Sequence, residues 1–205
     1  LSLFEKHSPE NYMERVRALK YLGNTYRSLG RYEEAKSLLT QSVFVSKKYL
    51  PENHIALGRS LVHLAVIYKK MGDYEKAKEL LMQSLTIHEN VFGKNSVRTA
   101  WVVTHLASVH QEIGEYERAR DSITGCLETY IKSYGHDKLR TSWVFIQLAY
   151  VYEGLQDYER AQEILETALK VHTNHFDAHH QKIGEILFQL GNVCKGLGQY
   201  KKAND

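Results

Sequence analysis

Trp101 and Trp143 are the only tryptophans in this 205-residue chain, and they stand 42 residues apart. The same step carried backwards meets Arg59 and Arg17, and carried forwards meets Glu185. Each indole follows Arg-Thr-Ala or Arg-Thr-Ser, beginning at Arg98 and Arg140. A tryptophan open to solvent is a strong interface anchor, because it buries much area at small entropic cost. Packed between helices, it merely fills space. A basic group precedes the pair: Arg17, Lys20, Arg27, Arg59, Lys69 and Lys70. Such a set can receive acidic side chains, a terminal carboxylate or a phosphate. It can equally be an ordinary solvated helix face. Histidine offers a third chemistry, since His172, His175, His179 and His180 crowd one stretch at spacings that can gather metal ligands. Only Asp177 stands near them as an acid and no cysteine does, so the expectation is a solvated turn with no metal. Phosphate loops, nucleophile elbows, Cys-x-x-Cys pairs and His-Glu-x-x-His helices are missing. Neither catalysis nor a cofactor is expected.

The helices that carry these residues follow from the period itself. Gly30-Arg31-Tyr32-Glu33-Glu34-Ala35 returns at Gly72–Ala77, Gly114–Ala119, Gln156–Ala161 and Gly198–Ala203, always 42 residues on. A fixed period of this length marks a solenoid, which presents a long surface rather than an enclosed pocket. Within one period, Leu61, Leu64, Ala65, Tyr68 and Met71 recur at helical steps and form one apolar face. Gly72-Asp73 ends that helix. A second helix is predicted from about Tyr74 to Asn90, and Phe92–Ser96 closes the unit. The two prolines, Pro9 and Pro51, fall in the turn between units. Positions that stay small, such as Ala35, Ala77, Ala119, Ala161 and Ala203, mark close helix approach. Gly23, Ala65, Ala107, Ala149 and Gly191 form a second such series. The expected fold is all-α: a right-handed α-solenoid of antiparallel helix pairs.

Composition sets further limits. The net charge of +3 points to neither disorder nor nucleic-acid binding. Its distribution is uneven, with 16 basic against 10 acidic residues in 1–100 and 11 against 14 in 101–205. No apolar run approaches the roughly 20 residues needed to span a bilayer. Cys126 and Cys194 occupy different phases of the repeat, so a reducing, cytoplasmic setting is expected.

Leu19-x-x-Leu22-Gly23-x-x-Tyr26 followed by Ala35-x-x-x-Leu39 resembles the tetratricopeptide repeat, Trp-x-x-Leu-Gly-x-x-Tyr then Ala-x-x-x-Phe. Leu64, Tyr68, Ala77 and Leu81 repeat the match, as do Leu148, Tyr152, Ala161 and Leu165. His110 and Cys194 replace the tyrosine in two copies. The longer unit, with Leu85-x-Ile87-x-Glu89-x-x-Phe92-Gly93 before the next helix, is similar to the repeats of kinesin light chains. The boundaries expected are 1–12 for the end of a preceding repeat and turn, then 16–57, 58–99, 100–141 and 142–183, with a partial fifth repeat at 184–205. That phasing leads us to expect a segment of a longer array, whose uncapped ends can associate end to end.

The resemblance implies that the first helix of each repeat lines a concave groove. The candidate peptide-binding residues are then Arg17, Lys20, Asn24, Arg59, His63, Trp101, His105, Trp143, Gln147, Tyr150, Gln189 and Asn192. Lys20 and Asn24 stand where some tetratricopeptide domains begin a carboxylate clamp for chaperone tails. His63, Trp101 and His105 depart from the rest of that clamp. Kinesin light chains take acidic peptides carrying a tryptophan, so the resemblance implies a partner with acidic and apolar residues. The expected function is a non-catalytic scaffold for a peptide or partner protein, without nucleic acid or membrane insertion. The alternatives are a structural or self-association element of a longer protein, and a ligand-responsive regulator.

Overall fold

A computed structural model describes residues 9–199 apart from 137, 178 and 179. Ala203 lies outside the described residues. The described residues form nine helices: α1 (Pro9–Ser28), α2 (Tyr32–Tyr49), α3 (Ile55–Lys70), α4 (Tyr74–Phe92), α5 (Val97–Glu112), α6 (Tyr116–Tyr134), α7 (Leu139–Gly154), α8 (Tyr158–Thr173) and α9 (Gln181–Gly196). They fall into two compact units divided between Val109 and His110. No described helix is long and apolar enough to cross a membrane.

The first helices α3, α5, α7 and α9 begin three residues ahead of Gly58, Ala100, Ser142 and Gly184. The turn before α3 explains the early start. Asn53 takes a left-handed conformation (φ 63°), and His54 Nδ1 then accepts the Ala56 N–H as the N-cap. His180 caps α9 the same way through Lys182. α1 instead extends back to Pro9, since proline is tolerated in a helix's first turn.

In the first unit, α1 packs on α2, α2 on α3 and α3 on α4. Its core joins Leu39, Leu61, Val62, Ile67, Leu81 and Val109. The small positions sit at the tightest places. Ala35, Ala65 and Ala77 are fully buried, and a Cβ on Gly23 would lie 2.8 Å from Leu39 Cγ. Serine hydroxyls cross these interfaces: Ser42 donates to the Val16 carbonyl at 3.3 Å, and Ser84 to the Gly58 carbonyl at 2.8 Å.

The second unit pairs α6 with α7, α7 with α8 and α8 with α9 around Phe145, Leu165, Ile186 and Val193. Ala119, Ala149 and Ala161 are fully buried there. The Tyr116 ring lies over Gly154 and leaves no room for a Cβ there. Here the crossing hydroxyl belongs to the first helix, Ser142 facing the Ala168 carbonyl at 3.5 Å.

Candidate functional site

In the first unit, α5 places Trp101 and His105 four residues apart, so their rings meet on one helix face. Their centroids are 5.1 Å apart and nearly perpendicular. His63 on α3 and His88 near the end of α4 each approach the same indole at 6.1 Å. Trp101 is half-buried and packs against the core as well as against the three imidazoles. His88 Nδ1 donates to the Ser84 carbonyl at 2.8 Å.

Cations surround this aromatic group. The pKa of His63 falls from 6.5 to about 4, through burial first and then through Lys20, Arg27 and Arg59. That of His105 falls to about 3, through burial, Lys69, His63 and Arg27. Burial lowers the half-buried Lys20 ammonium too, aided by Arg59 and Arg17. Two of the cations have partners: Arg17 pairs with Glu14 at 2.6 Å, and Lys69 donates to Ser108 Oγ at 3.3 Å. Among the described residues no acid pairs with Lys20, Arg27 or Arg59. Asn24, one turn beyond Lys20, keeps a buried Oδ1 with no hydrogen-bond partner. The structure thus gathers Lys20, Arg59, His63, Trp101 and His105 into one neighbourhood, with Arg17 turned toward Glu14.

In the second unit, Trp143, Gln147 and Tyr150 line up along α7 and form one wall of a cavity of about 250 Å³. Lys182 and Glu185 from α9 stand opposite, paired with each other at 2.5 Å. Burial raises the pKa of Tyr150, with Glu185 and Glu153 adding to the effect. Gln189 is buried and donates to Glu153, whose own pKa burial raises. Gln189 is therefore occupied within the protein, while Asn192 is half-buried nearby on the same helix.

His172 belongs to α8 rather than to the following turn, and it is buried beside this cavity. Spacing that suits metal ligands says nothing about burial. Position 172 lies two periods beyond His88, and that phase relation was the usable signal. His179 lies outside the described residues. Among the described residues no three metal-ligating side chains come together. Phe176 likewise lies two periods beyond Phe92, whereas the contribution of Glu153 had no signature in the repeat.

Models of the tetratricopeptide repeat match residues 15–56, 56–123, 96–174 and 145–205. The chain belongs to the tetratricopeptide-repeat family. No curated protein matches it. Among solved structures it is similar to BtubC (BKLC) from P. vanneervenii, with 24% identity and a TM-score of 0.78 over 97% of this chain and 79% of that one. A Podosopora anserina protein described as a kinesin light chain with nearly identical TPR-like repeats shares 22% identity, with a TM-score of 0.74 over 97% and 92%. A Rap protein complexed with Competence and Sporulation Factor gives a TM-score of 0.79 at 16% identity, over 92% of this chain and 51% of that one. These likenesses establish the tetratricopeptide α-solenoid fold, including its kinesin-light-chain-like variety.

Proposed function

We propose that this tetratricopeptide-repeat chain is a non-catalytic interaction scaffold that holds an acidic and apolar segment of a partner against its first helices. One observation carries the reading: Lys20, Arg27 and Arg59 converge on the His63–Trp101–His105 group without a paired acid. Like charges held together around neutral imidazoles cost stability, and an incoming carboxylate would relieve that cost. The indole supplies the apolar contact beside it. The Rap protein carrying Competence and Sporulation Factor supports a binding role for this kind of fold. Cys126 and Cys194 are both buried and are not joined in a disulfide, and a reducing, cytoplasmic setting is part of this proposal.

Fluorescence anisotropy tests the reading with a labelled peptide alternating Glu and Leu, against the same peptide with Lys for Glu. The acidic peptide should bind, and Lys20→Glu or Arg59→Glu should weaken it at least tenfold. Raising NaCl from 50 to 500 mM should do the same, since exposed charge attraction is screened within about 8–10 Å near physiological ionic strength. Equal affinity for the two peptides, or none for either, overturns the proposal. A second reading, self-association, rests on Leu187 and Phe188, which are 50% and 72% exposed on α9. Sedimentation that does not change with concentration would remove it.

A further inference from the structure

Three cations of the first unit gather with no acid among the described residues to answer them. They stand on α1 and α3, which pack against each other. On α1, Lys20, Asn24 and Arg27 follow at steps of four and three residues and so share a helix face. On α3, Arg59 stands one turn before His63. The His63 ring feels Lys20, Arg27 and Arg59 together, and the Trp101 indole lies 6.1 Å from that ring. Two neighbouring cations are already engaged, Arg17 with Glu14 at 2.6 Å and Lys69 with Ser108 Oγ at 3.3 Å.

The count of charges says which anion fits. One carboxylate brings one negative charge and leaves two of the three cations unanswered. A second carboxylate does not make up the difference. In an extended segment the adjacent side chain points to the opposite face, and the next on the same face stands roughly 7 Å along. A phosphate monoester carries about −1.5 to −2 charges at pH 7 and offers three acceptor oxygens on one phosphorus. Arg27 and Arg59 supply guanidinium forks, which match phosphate oxygens two at a time. Lys20 supplies a point charge. Burial, then Arg59 and Arg17, lower its pKa, and a dianion beside it would favour the charged form again.

We propose that Lys20, Arg27 and Arg59 together recognise a phosphoserine or phosphothreonine within the acidic and apolar segment. Phosphorylation of the partner then strengthens its capture, while the unmodified segment keeps only the weaker carboxylate contacts. This inference rests on the scaffold reading and names the anion that the same site prefers.

Fluorescence anisotropy with the whole chain tests it on three versions of the labelled peptide alternating Glu and Leu. The central residue is Glu, phosphoserine, or phosphoserine whose phosphate is methylated and so holds a single charge. The phosphoserine peptide should bind at least tenfold more tightly than the Glu peptide, and the methyl ester should fall within threefold of Glu. Arg27→Gln or Arg59→Gln should cut the phosphoserine advantage at least fivefold. Lys76→Gln, which removes a cation already paired with Glu79 at 2.7 Å, should leave it unchanged. Equal affinity for the Glu and phosphoserine peptides overturns the phosphate preference and leaves the acidic-segment reading standing, whereas no binding of any peptide removes both. A methyl ester as tight as the monoester refutes the charge count. Displacement of the phosphopeptide by an equal concentration of free phosphoserine overturns the assignment to a partner segment.

Discussion

At the residue scale, the imidazoles around Trp101 make stability depend on pH. Folded, His63 and His105 accept protons only near pH 4 and pH 3, against 6.5 for the ordinary side chain. Between these values the unfolded chain binds more protons than the folded one. Stability is therefore fully present above pH 6.5 and declines as the pH falls toward 4. Thermal melting at pH 7.5 and pH 4.5 should show the lower midpoint at pH 4.5, and His63→Gln with His105→Gln should narrow the gap. An unchanged gap in the double variant would mean that other groups govern the acid response. Trp101 itself fills space, since it contacts the core as well as the three imidazoles. Trp101→Ala should cost about 2–4 kcal/mol in denaturant unfolding, toward the lower part of the large-to-small range because the indole is only half-buried. Sequence exposed the two tryptophans as candidates at once. It did not divide their roles, because that depends on which side chains each indole meets across neighbouring helices, and the spacing of one helix does not show it.

At the element scale, two substitutions probe how the helices are placed. Ala119 is fully buried, so Ala119→Leu should destabilise by about 1–3 kcal/mol through overpacking while helical circular dichroism persists. An unchanged melting temperature would remove that assignment. Gln156 tests the turn before each second helix. It holds φ +60° where Gly30, Gly72, Gly114 and Gly198 occupy the same phase. A non-glycine residue there costs roughly 1–2 kcal/mol, and glycine's extra flexibility when unfolded offsets about 0.5–1 kcal/mol of the relief. Gln156→Gly should accordingly raise stability by up to about 1 kcal/mol, and a lowered melting point would refute the strain. The helix pairs were legible because their demands recur: small residues where backbones meet, glycine where the chain turns. Helix starts were less so, since His54 and Asn53 act through a cap and a turn that apolar spacing does not reveal.

At the scale of the whole molecule, most described contacts join consecutive helices, from α1–α2 to α3–α4 in one unit and from α6–α7 to α8–α9 in the other. Disturbance should then spread only to near neighbours, as expected for a solenoid. Hydrogen exchange of Ala77→Leu should lose protection in α2, α3 and α4 while α8 keeps it. Uniform loss would indicate one cooperative block instead. The uneven charge read from the sequence has a structural counterpart in the first unit, where the cations cluster. The His172 cavity was not legible in the same way. It depends on three helices and one turn meeting, and nothing in the residue spacing encodes a meeting of that kind.

The crossing serine has one more consequence. Ser42 and Ser84 reach from the second helix to the first, whereas Ser142 reaches from the first toward Ala168 on the second. At these three crossings the hydroxyl is thus the property of a pair of sites rather than of either one. During divergence a copy of the unit can lose the hydroxyl on one strand of the pair and recover it on the other. Covariation between these sites, 26 residues apart, should trace the duplication history of such arrays better than either column alone.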